Sequence, residues 1–213
     1  MKSSELFTPE SCDAIRAFYD RYEPCHALLQ DYRRLKGRVG HVRNIFYGDS
    51  ITAAWPLGEF FPNASLLNRG IGGDNTSGLY LRMEEDVFPY TPERVFMLIG
   101  INGVAAPNDR ILAQISALAG MMRERGVDVC LSSVLPLRSP GAGSLFQYQG
   151  KIVELNGMIA DWAKANGCVF LDYHAALKDE TGQLAAEYAR PDGVHLRFAA
   201  YEVMSEIVAP HLR

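Results

Sequence analysis

The sequence predicts an α/β protein in which helices cover both faces of a parallel β-sheet. Two patterns in its 213 residues support this fold class. Short apolar runs rich in Val, Ile, Leu and Phe alternate with longer segments of helical periodicity. The runs also lack the polar alternation of half-exposed strands, which indicates that each strand is covered on both faces. We therefore expect a doubly wound parallel sheet.

The chain begins with a helical segment that precedes the first strand. Thr8 is a suitable N-cap, Pro9 fits the first helical position, and the helical pattern runs to about Gly37 with a break near Pro24. This pattern predicts a helical hairpin or a kinked helix, which forms an N-terminal extension over residues 1–40.

Five strands are expected after this extension, each as a compact apolar run. Polar or glycine-containing segments separate the runs, as is typical of strand ends. The predicted strands are VRNIFY (42–47), SLLN (65–68), RVFMLIG (94–100), VDVCLSSVL (127–135) and CVFLDY (168–173).

Helical patterns fill the longer connections between these strands. The segments 108–126 and 151–167 both end in glycine, a common helix terminator. A last helix is expected at about 197–212, with its apolar side chains against the sheet. Because no linker, repeat or low-complexity tract interrupts the core at 42–212, we expect a single domain over residues 1–213.

Composition and charge argue against several classes of protein. The chain is 48% hydrophobic and 22% charged, and its formal net charge of -4 provides no basic surface for nucleic acid. No apolar run is long enough to span a membrane and no signal peptide is recognised, so a cytoplasmic location is expected. The cysteines have no metal-ligand spacing and are expected to be reduced, with the last two in the core: Cys12, Cys25, Cys130 and Cys168.

Residues suited to catalysis follow three of the predicted strands. Ser50, in Gly48-Asp49-Ser50, comes after the first strand at the mouth of a short helix. The glycine-rich stretch 68–76 comes after the second strand and could offer backbone N–H groups to an anion or oxyanion. Asn102 comes after the third strand, and its side-chain amide can donate. Because ligands of open α/β sheets bind outside the carboxyl ends of the strands, we expect these residues to face one site.

Two further residues stand just before the last helix. Asp192 and His195 are three residues apart in RPDGVH (190–195). Each alone would more often be a turn or surface residue. Together with Ser50, the glycine-rich stretch and Asn102, they complete the set of groups that acyl transfer requires.

Other candidates fit less well. His174 follows Asp172 by two residues, but the short backbone between them makes it hard for Asp172 to reach that ring. The stretch 70–75 is not a dinucleotide fingerprint, because Asn75 stands where the third glycine is needed. Ser144 lacks the sequence context of a nucleophile elbow. The remaining histidines are expected on the surface or in packing: His26, His41 and His211.

As a set, these residues resemble the GDSL esterases, also called SGNH hydrolases. Four blocks, GDSI, NRGIGGDNT, GING and DGVH, stand in the family's order within residues 42–212. The resemblance implies a flavodoxin-like three-layer α/β/α sandwich. It also implies that Ser50 is the nucleophile, His195 the base and Asp192 the residue that orients the base.

The resemblance also implies an oxyanion hole, and further residues are expected to support the site. The donors would be the backbone N–H groups of Ser50 and Gly73 and the amide of Asn102. Trp55 and the loop 136–148 could wall the pocket, although a Trp is more often simply core. Residues expected to support the site or line its pocket are Asp49, Asp74 and Trp55.

The sequence departs from the family pattern at two positions. Ile51 stands where the family name has Leu, which is conservative. Gly103 follows Asn102 where relatives often have Asp, and this removes a possible partner that would hold Asn102. Residues 1–40 lie outside the resemblance and are expected to form a cap or an oligomer contact.

The resemblance implies a serine esterase that needs no metal or cofactor. Its substrate would be a small-molecule ester with an acetyl or other short acyl group, as for acyl esterases or platelet-activating-factor acetylhydrolase-like members of the family. The alternative is a weakly active or inactive protein of this fold that binds a small anionic or acylated ligand, for which Gly103 is the only sequence support. A homo-oligomer formed through the N-terminal helices is compatible with either hypothesis.

Overall fold

The computed structural model describes residues 3–213 and has a five-stranded parallel sheet at its centre. The strands are β1 (Asn44–Gly48), β2 (Leu66–Gly70), β3 (Arg94–Leu98), β4 (Asp128–Ser132) and β5 (Val169–Leu171). Their order in the sheet is β2-β1-β3-β4-β5. The predicted doubly wound α/β class is confirmed, and the order is that of flavodoxin-like folds.

Helices connect and flank these strands. None of those within residues 3–213 is long and apolar enough to cross a membrane. The helices are α1 (Ser3–Leu6), α2 (Pro9–Arg21), α3 (Glu23–Leu35), α4 (Ser50–Ala53), α5 (Leu57–Phe60), α6 (Thr76–Asp86), α7 (Asn108–Glu124), α8 (Gln149–Ala165), α9 (Tyr173–Leu177) and α10 (Phe198–Val208), with 3-10 turns at Phe88–Tyr90, Ile101–Gly103, Gly143–Tyr148 and Ala209–His211.

The N-terminal extension is a hairpin of two helices, α2 and α3. Thr8 caps α2, because its side chain accepts a hydrogen bond from the backbone N–H of Ser11 at 3.3 Å. Pro24 lies in the first turn of α3, where proline is tolerated because that backbone N–H has no partner within the helix. The predicted break near Pro24 is therefore a second helix start.

The sheet buries side chains on both faces. One face, which includes Ile45, Tyr47 and Met97, packs with residues of α6, α7 and α8. The opposite face, which includes Phe46 and Phe96, packs with residues of α4, α5, α9 and α10. Strands β1 and β3 are buried throughout, whereas β2 is half-exposed over its first three residues because it is an edge strand. Cys130 is buried as expected, but Cys168, just before the other edge strand, is only half-buried.

Strand order fixes where a ligand can bind. The chain passes from β1 outward to β2 and then returns to β3 on the other side of β1. The connections at the carboxyl ends of β1 and β3 therefore diverge, and the crevice between them is the usual ligand site of such sheets. Ser50 follows β1 and Asn102 follows β3 at this edge.

Candidate active site

Ser50 is the first residue of α4, directly after β1. Asp49 is the N-cap of this short helix, and its Oδ1 accepts a hydrogen bond from the backbone N–H of Ile51 at 3.0 Å. Ser50 itself is half-buried. The turn therefore holds the Ser50 hydroxyl at the carboxyl edge of the sheet.

The side chains of Ser50, His195 and Asp192 form a continuous hydrogen-bonded line. His195 Nε2 is 2.9 Å from Ser50 Oγ, and His195 Nδ1 is 3.0 Å from Asp192 Oδ2. A carboxylate accepts only, so Nδ1 carries the proton, and the Nε2 of the neutral ring then accepts from the Ser50 hydroxyl. This is the tautomer that a general base needs.

The loop before α10 shapes Asp192 for this role. Its Oδ1 accepts hydrogen bonds from the backbone N–H groups of Val194 at 2.9 Å and His195 at 2.8 Å. Burial raises the pKa of Asp192, but these N–H groups and the His195 ring outweigh it and hold the pKa below its usual value. The backbone N–H of Arg138 donates to the Gly193 carbonyl at 2.8 Å and ties this loop to the one after β4.

Two of the three expected oxyanion donors, Gly73 and Asn102, lie in the loops after β2 and β3. Gly73 has a φ of +74°, which glycine adopts without strain. Asn102 is exposed, and its Nδ2 donates to the backbone carbonyl of Asp74 at 2.9 Å. This bond uses one of the two amide hydrogens. The Asp74 carbonyl thus fixes the side chain of Asn102. Gly103, which has no side chain, cannot do so.

Asp74 is fully buried, and its carboxylate has partners that sequence analysis did not single out. Tyr19 of α2 donates its hydroxyl to Asp74 Oδ1, and Arg82 of α6 donates from Nε to Asp74 Oδ2 at 2.8 Å. Tyr19 lies 55 residues away in sequence and has no local signature. Arg82 offers one signal, since it shares the buried face of its helix with Leu79 and Met83.

Asp49 is also fully buried, but no residue within 3–213 forms an ion pair with it. Its Oδ2 has no hydrogen-bond partner within residues 3–213, and burial raises its pKa to about 7. It lines an apolar pocket that reaches both Ser50 and His195 along the chain, through their neighbours Ile51 and Val194. Other residues of this lining are Leu98, Ile99, Ile101, Val134, Leu135, Pro136 and Leu137.

Trp55 does not line this pocket. It packs edge-on against Phe46 and Tyr173, and its Nε1 donates to Ser205 Oγ at 3.0 Å. Trp55 therefore belongs to the core under α10, and the core alternative replaces the expectation that it walls the pocket. From the loop 136–148, Pro136 and Leu137 do reach the pocket.

The other histidines lie away from Ser50. His174 is buried, and its Nδ1 donates to the Val134 carbonyl at 3.0 Å. Burial lowers the pKa of His174, so it is a neutral core residue. His26 is 3.7 Å from Asp20 on the hairpin, and His41 Nδ1 is 3.0 Å from the Thr91 hydroxyl.

The fold places a hydrogen-bonded Ser-His-Asp set at the crevice between the carboxyl ends of β1 and β3. This combination is typical of hydrolases with an α/β fold. The model of the GDSL-like lipase/acylhydrolase family matches residues 46–203. The chain belongs to this family, and the resemblance noted from its four blocks is confirmed. The protein is accordingly a carboxylic ester hydrolase.

Solved structures share this fold. A GDSL-like lipase of Bacteroides thetaiotaomicron is 27% identical, with a TM-score of 0.77 over 84% of this chain and 96% of its own. A Streptococcus pneumonia protein described as a candidate platelet activating factor is 25% identical, with a TM-score of 0.82 over 96% of this chain and 99% of its own. That coverage is large enough to include most of the hairpin.

A more distant likeness is to a catalytic mutant of an acetylxylan esterase from Geobacillus stearothermophilus. It is 20% identical, with a TM-score of 0.65 over 81% of this chain and 94% of its own, and shows the fold alone. No curated protein matches the chain.

Proposed function

We propose that this protein is a serine esterase that hydrolyses small esters of acetyl or other short acyl groups through an acyl-enzyme. The observation that carries the proposal is the hydrogen-bonded line from Asp192 through His195 to Ser50. A serine hydroxyl is a weak nucleophile at neutral pH and needs such a base beside it.

In the first step, Ser50 Oγ attacks the carbonyl carbon of the ester while its proton moves to His195 Nε2. Asp192 keeps the ring oriented through Nδ1 and stabilises the imidazolium that forms. The carbonyl oxygen becomes negatively charged, and we assign the backbone N–H groups of Ser50 and Gly73 and the amide of Asn102 as its donors.

In the second step, the bond from the carbonyl carbon to the alcohol oxygen breaks. The alcohol leaves with the proton that His195 Nε2 had accepted, and the acyl group stays on Ser50 Oγ. A water molecule then attacks the acyl carbon and gives a proton to His195. Collapse of this second intermediate returns the proton to Ser50 and releases the carboxylic acid.

The pocket beside Ser50 supports a short acyl group. Its lining is apolar except for Asp49, and its free space is about that of one water molecule. A methyl group is of similar size, whereas a long acyl chain would have to lie elsewhere. The acetylxylan esterases among the distant structural neighbours act on acetyl esters by name, which is consistent with this assignment.

Fluorophosphonate labelling tests the nucleophile without knowledge of the natural substrate. We expect the intact mass of the wild type to increase by one phosphonyl adduct and that of Ser50→Ala to stay unchanged. We also expect p-nitrophenyl acetate to be hydrolysed with a higher kcat/KM than p-nitrophenyl octanoate. An unlabelled wild type would contradict the serine mechanism, and a preference for octanoate would contradict the short-chain assignment.

The structure gives little support to the alternative of an inactive binding protein. That hypothesis rested on Gly103, which lacks a side chain to hold Asn102. The Asp74 carbonyl accepts a hydrogen bond from the Asn102 amide and restrains that side chain instead. If labelling fails in the wild type, binding of short carboxylates without turnover becomes the better hypothesis.

A further inference from the structure

We propose that the N-terminal hairpin completes the oxyanion hole through Tyr19, a positioning residue that acts on Asn102 by way of Asp74. The hairpin lies before the residues that the family model matches, which begin at 46. This inference rests on the proposed function, because it assigns a role within the same reaction.

The first link joins Tyr19 to Asp74. Tyr19 is buried on α2, and its hydroxyl donates to Asp74 Oδ1. Burial and the neighbouring carboxylate raise the pKa of Tyr19, so the hydroxyl keeps its proton and remains a donor. Asp74 is the residue directly after Gly73, so this bond fixes the end of the glycine-rich loop.

The second link joins Asp74 to Asn102. The Asp74 backbone carbonyl accepts from Asn102 Nδ2 at 2.9 Å. Rotation of the peptide that follows Asp74 would move this carbonyl and release the amide. The Tyr19 hydroxyl, which restrains the side chain of the same residue, therefore restrains Asn102 indirectly.

Arg82 fixes the other oxygen of Asp74 and ties it to the nucleophile strand. Its Nε donates to Asp74 Oδ2 at 2.8 Å, and its Nη2 donates to the Gly48 carbonyl at 3.0 Å. Asp86 accepts from Nη1 at 2.8 Å. With Arg82 on one oxygen and Tyr19 on the other, Asp74 is held from two elements, and only Tyr19 comes from the hairpin.

Gly78 leaves the space in which Tyr19 and Asp74 meet. A Cβ at this position would lie 1.7 Å from Asp74 Oδ1 and 2.3 Å from the Tyr19 hydroxyl. No side chain larger than hydrogen fits without displacing that pair. A glycine inside α6 weakens the helix, so its presence is explained by this contact.

The rest of the hairpin packs on the same loop. Ile15 and Cys25 form one buried cluster with Ile71, and Cys25 Sγ donates to the Gly72 carbonyl at 2.9 Å. The ring of Phe18 lies against Gly73, where a Cβ would be 2.3 Å from its Cζ. These contacts seat the hairpin firmly enough for one hydroxyl to position the loop.

The inference predicts a loss in the chemical step without a loss in substrate binding. When an oxyanion donor moves away, the transition state loses more stabilisation than the bound ester does. As a result, kcat falls while KM changes little. We expect Tyr19→Phe to lower kcat for p-nitrophenyl acetate, and the rate of phosphonylation of Ser50, about tenfold.

Tyr32→Phe is the matched control. Tyr32 lies on α3 of the same hairpin, and its hydroxyl donates to the Gly70 carbonyl at 3.1 Å, before the loop reaches Asp74. Both variants remove one hydroxyl from the hairpin, and both are compared by urea unfolding. We expect Tyr32→Phe to keep the wild-type kcat within about twofold. Equal kcat losses in the two variants would overturn the inference.

A double-mutant cycle with Asn102→Ala tests the route. Removal of one oxyanion donor lowers kcat about a hundredfold to a thousandfold. If Tyr19 acts through Asn102, adding Tyr19→Phe to Asn102→Ala lowers kcat less than about twofold further. An undiminished tenfold loss in that background would overturn the inference, since Tyr19 would then act on stability or by another route.

The two proposals can fail separately. A wild type that fluorophosphonate does not label would refute the serine mechanism, and the inference with it. A labelled wild type whose rate is unchanged by Tyr19→Phe would refute the inference alone. If Tyr19→Phe does not fold, Gly78→Ala replaces it, because the added Cβ displaces the same Tyr19–Asp74 pair. Gly78→Ala is then combined with Asn102→Ala in the same double-mutant cycle.

Discussion

At the residue scale, the main feature outside the hydrogen-bonded line of Ser50, His195 and Asp192 is a buried carboxyl beside Ser50. Asp49 is fully buried, one of its oxygens has no partner within residues 3–213, and its pKa is raised to about 7 by burial. A carboxyl in such surroundings favours its protonated form. Its role is to cap α4 and to line the pocket, which a neutral group performs at a lower desolvation cost than a carboxylate.

Asp49→Asn should therefore change how stability depends on pH. The unfolded carboxyl titrates near 3.8 and the folded one near 7, so the folded state binds more protons between these values. The Asp49 contribution is fully present below about pH 4 and is lost as pH rises through about 7. Asn keeps the oxygen that accepts from Ile51 and does not titrate.

The measurement is urea unfolding of both proteins from pH 4 to pH 8. The stability of Asp49→Asn relative to the wild type should increase with pH, by at most about 4 kcal/mol. Because every other group titrates in both proteins, the comparison isolates Asp49. A gap that stays constant across this range would show that Asp49 is not the titrating group.

The two histidines near the sheet edge should respond differently to substitution. His174→Gln is expected to leave kcat within about twofold, because that ring is buried against the Val134 carbonyl and lies away from Ser50. His195→Gln removes the proposed base and should lower kcat roughly ten-thousandfold or more. Ester hydrolysis by both variants decides the assignment, and a large loss in His174→Gln would reverse it.

At the scale of elements, several residues of α6 position the glycine-rich loop before it, and one of them lowers the stability of the helix. It carries Arg82 and Asp86 on its buried face, and Gly78 in its first turn makes room for Tyr19. A helix chosen for propensity alone would avoid a glycine there. The glycine in α6 is therefore explained by the contact between Tyr19 and Asp74 and not by helix propensity.

Two glycine substitutions test this view. Gly78→Ala should destabilise the protein by about 1–3 kcal/mol, because its Cβ would overlap the Tyr19–Asp74 pair. Gly120→Ala in α7 is the matched control, because a Cβ there meets nothing within 4 Å, and it should stabilise the protein by about 0.5–1 kcal/mol. Urea unfolding measures both changes. Stabilisation of Gly78→Ala would mean that the pair accommodates the added carbon easily.

At the scale of the whole molecule, the hairpin is joined to the sheet domain through the glycine-rich loop. Its inner side chains Ile15 and Tyr19 are buried against the rest of the protein, whereas Tyr22 and Leu35 remain 52% and 41% exposed. A homo-oligomer through these helices stays a prediction, and it would have to use their outer face. We infer that the hairpin and the sheet fold as one unit.

Removal of residues 1–36 tests that inference. The shortened chain would expose Ile71 and lose the donor from Tyr19 to Asp74, so its stability should fall by several kcal/mol. Trp55 and Trp162 lie outside the removed segment and report unfolding by fluorescence in both chains. An unchanged urea midpoint would show that the hairpin is an independent appendage.

Much of the architecture could be predicted because it follows from local patterns. Each predicted strand is an apolar run that must be buried, and parallel strands place their following loops at one edge. The proximity of Ser50 and Asn102 follows from that rule once the strands are known, whereas Asp192 and His195 lie far along the chain from the end of β5 at Leu171. Trp55 could not be placed in the same way, because its position in the core depends on how α10 packs over the sheet.

The sequence by itself determined the α/β class, the order of the five strands along the chain, and the family to which it belongs. Only the tertiary structure decided the strand order in the sheet, the partner of Asn102 and the contact of Tyr19 with Asp74. Apolar periodicity and turn residues act over a few neighbouring positions and are legible in the sequence. A hydrogen bond between residues 55 apart leaves no such pattern, because it exists only after two separate elements have packed together.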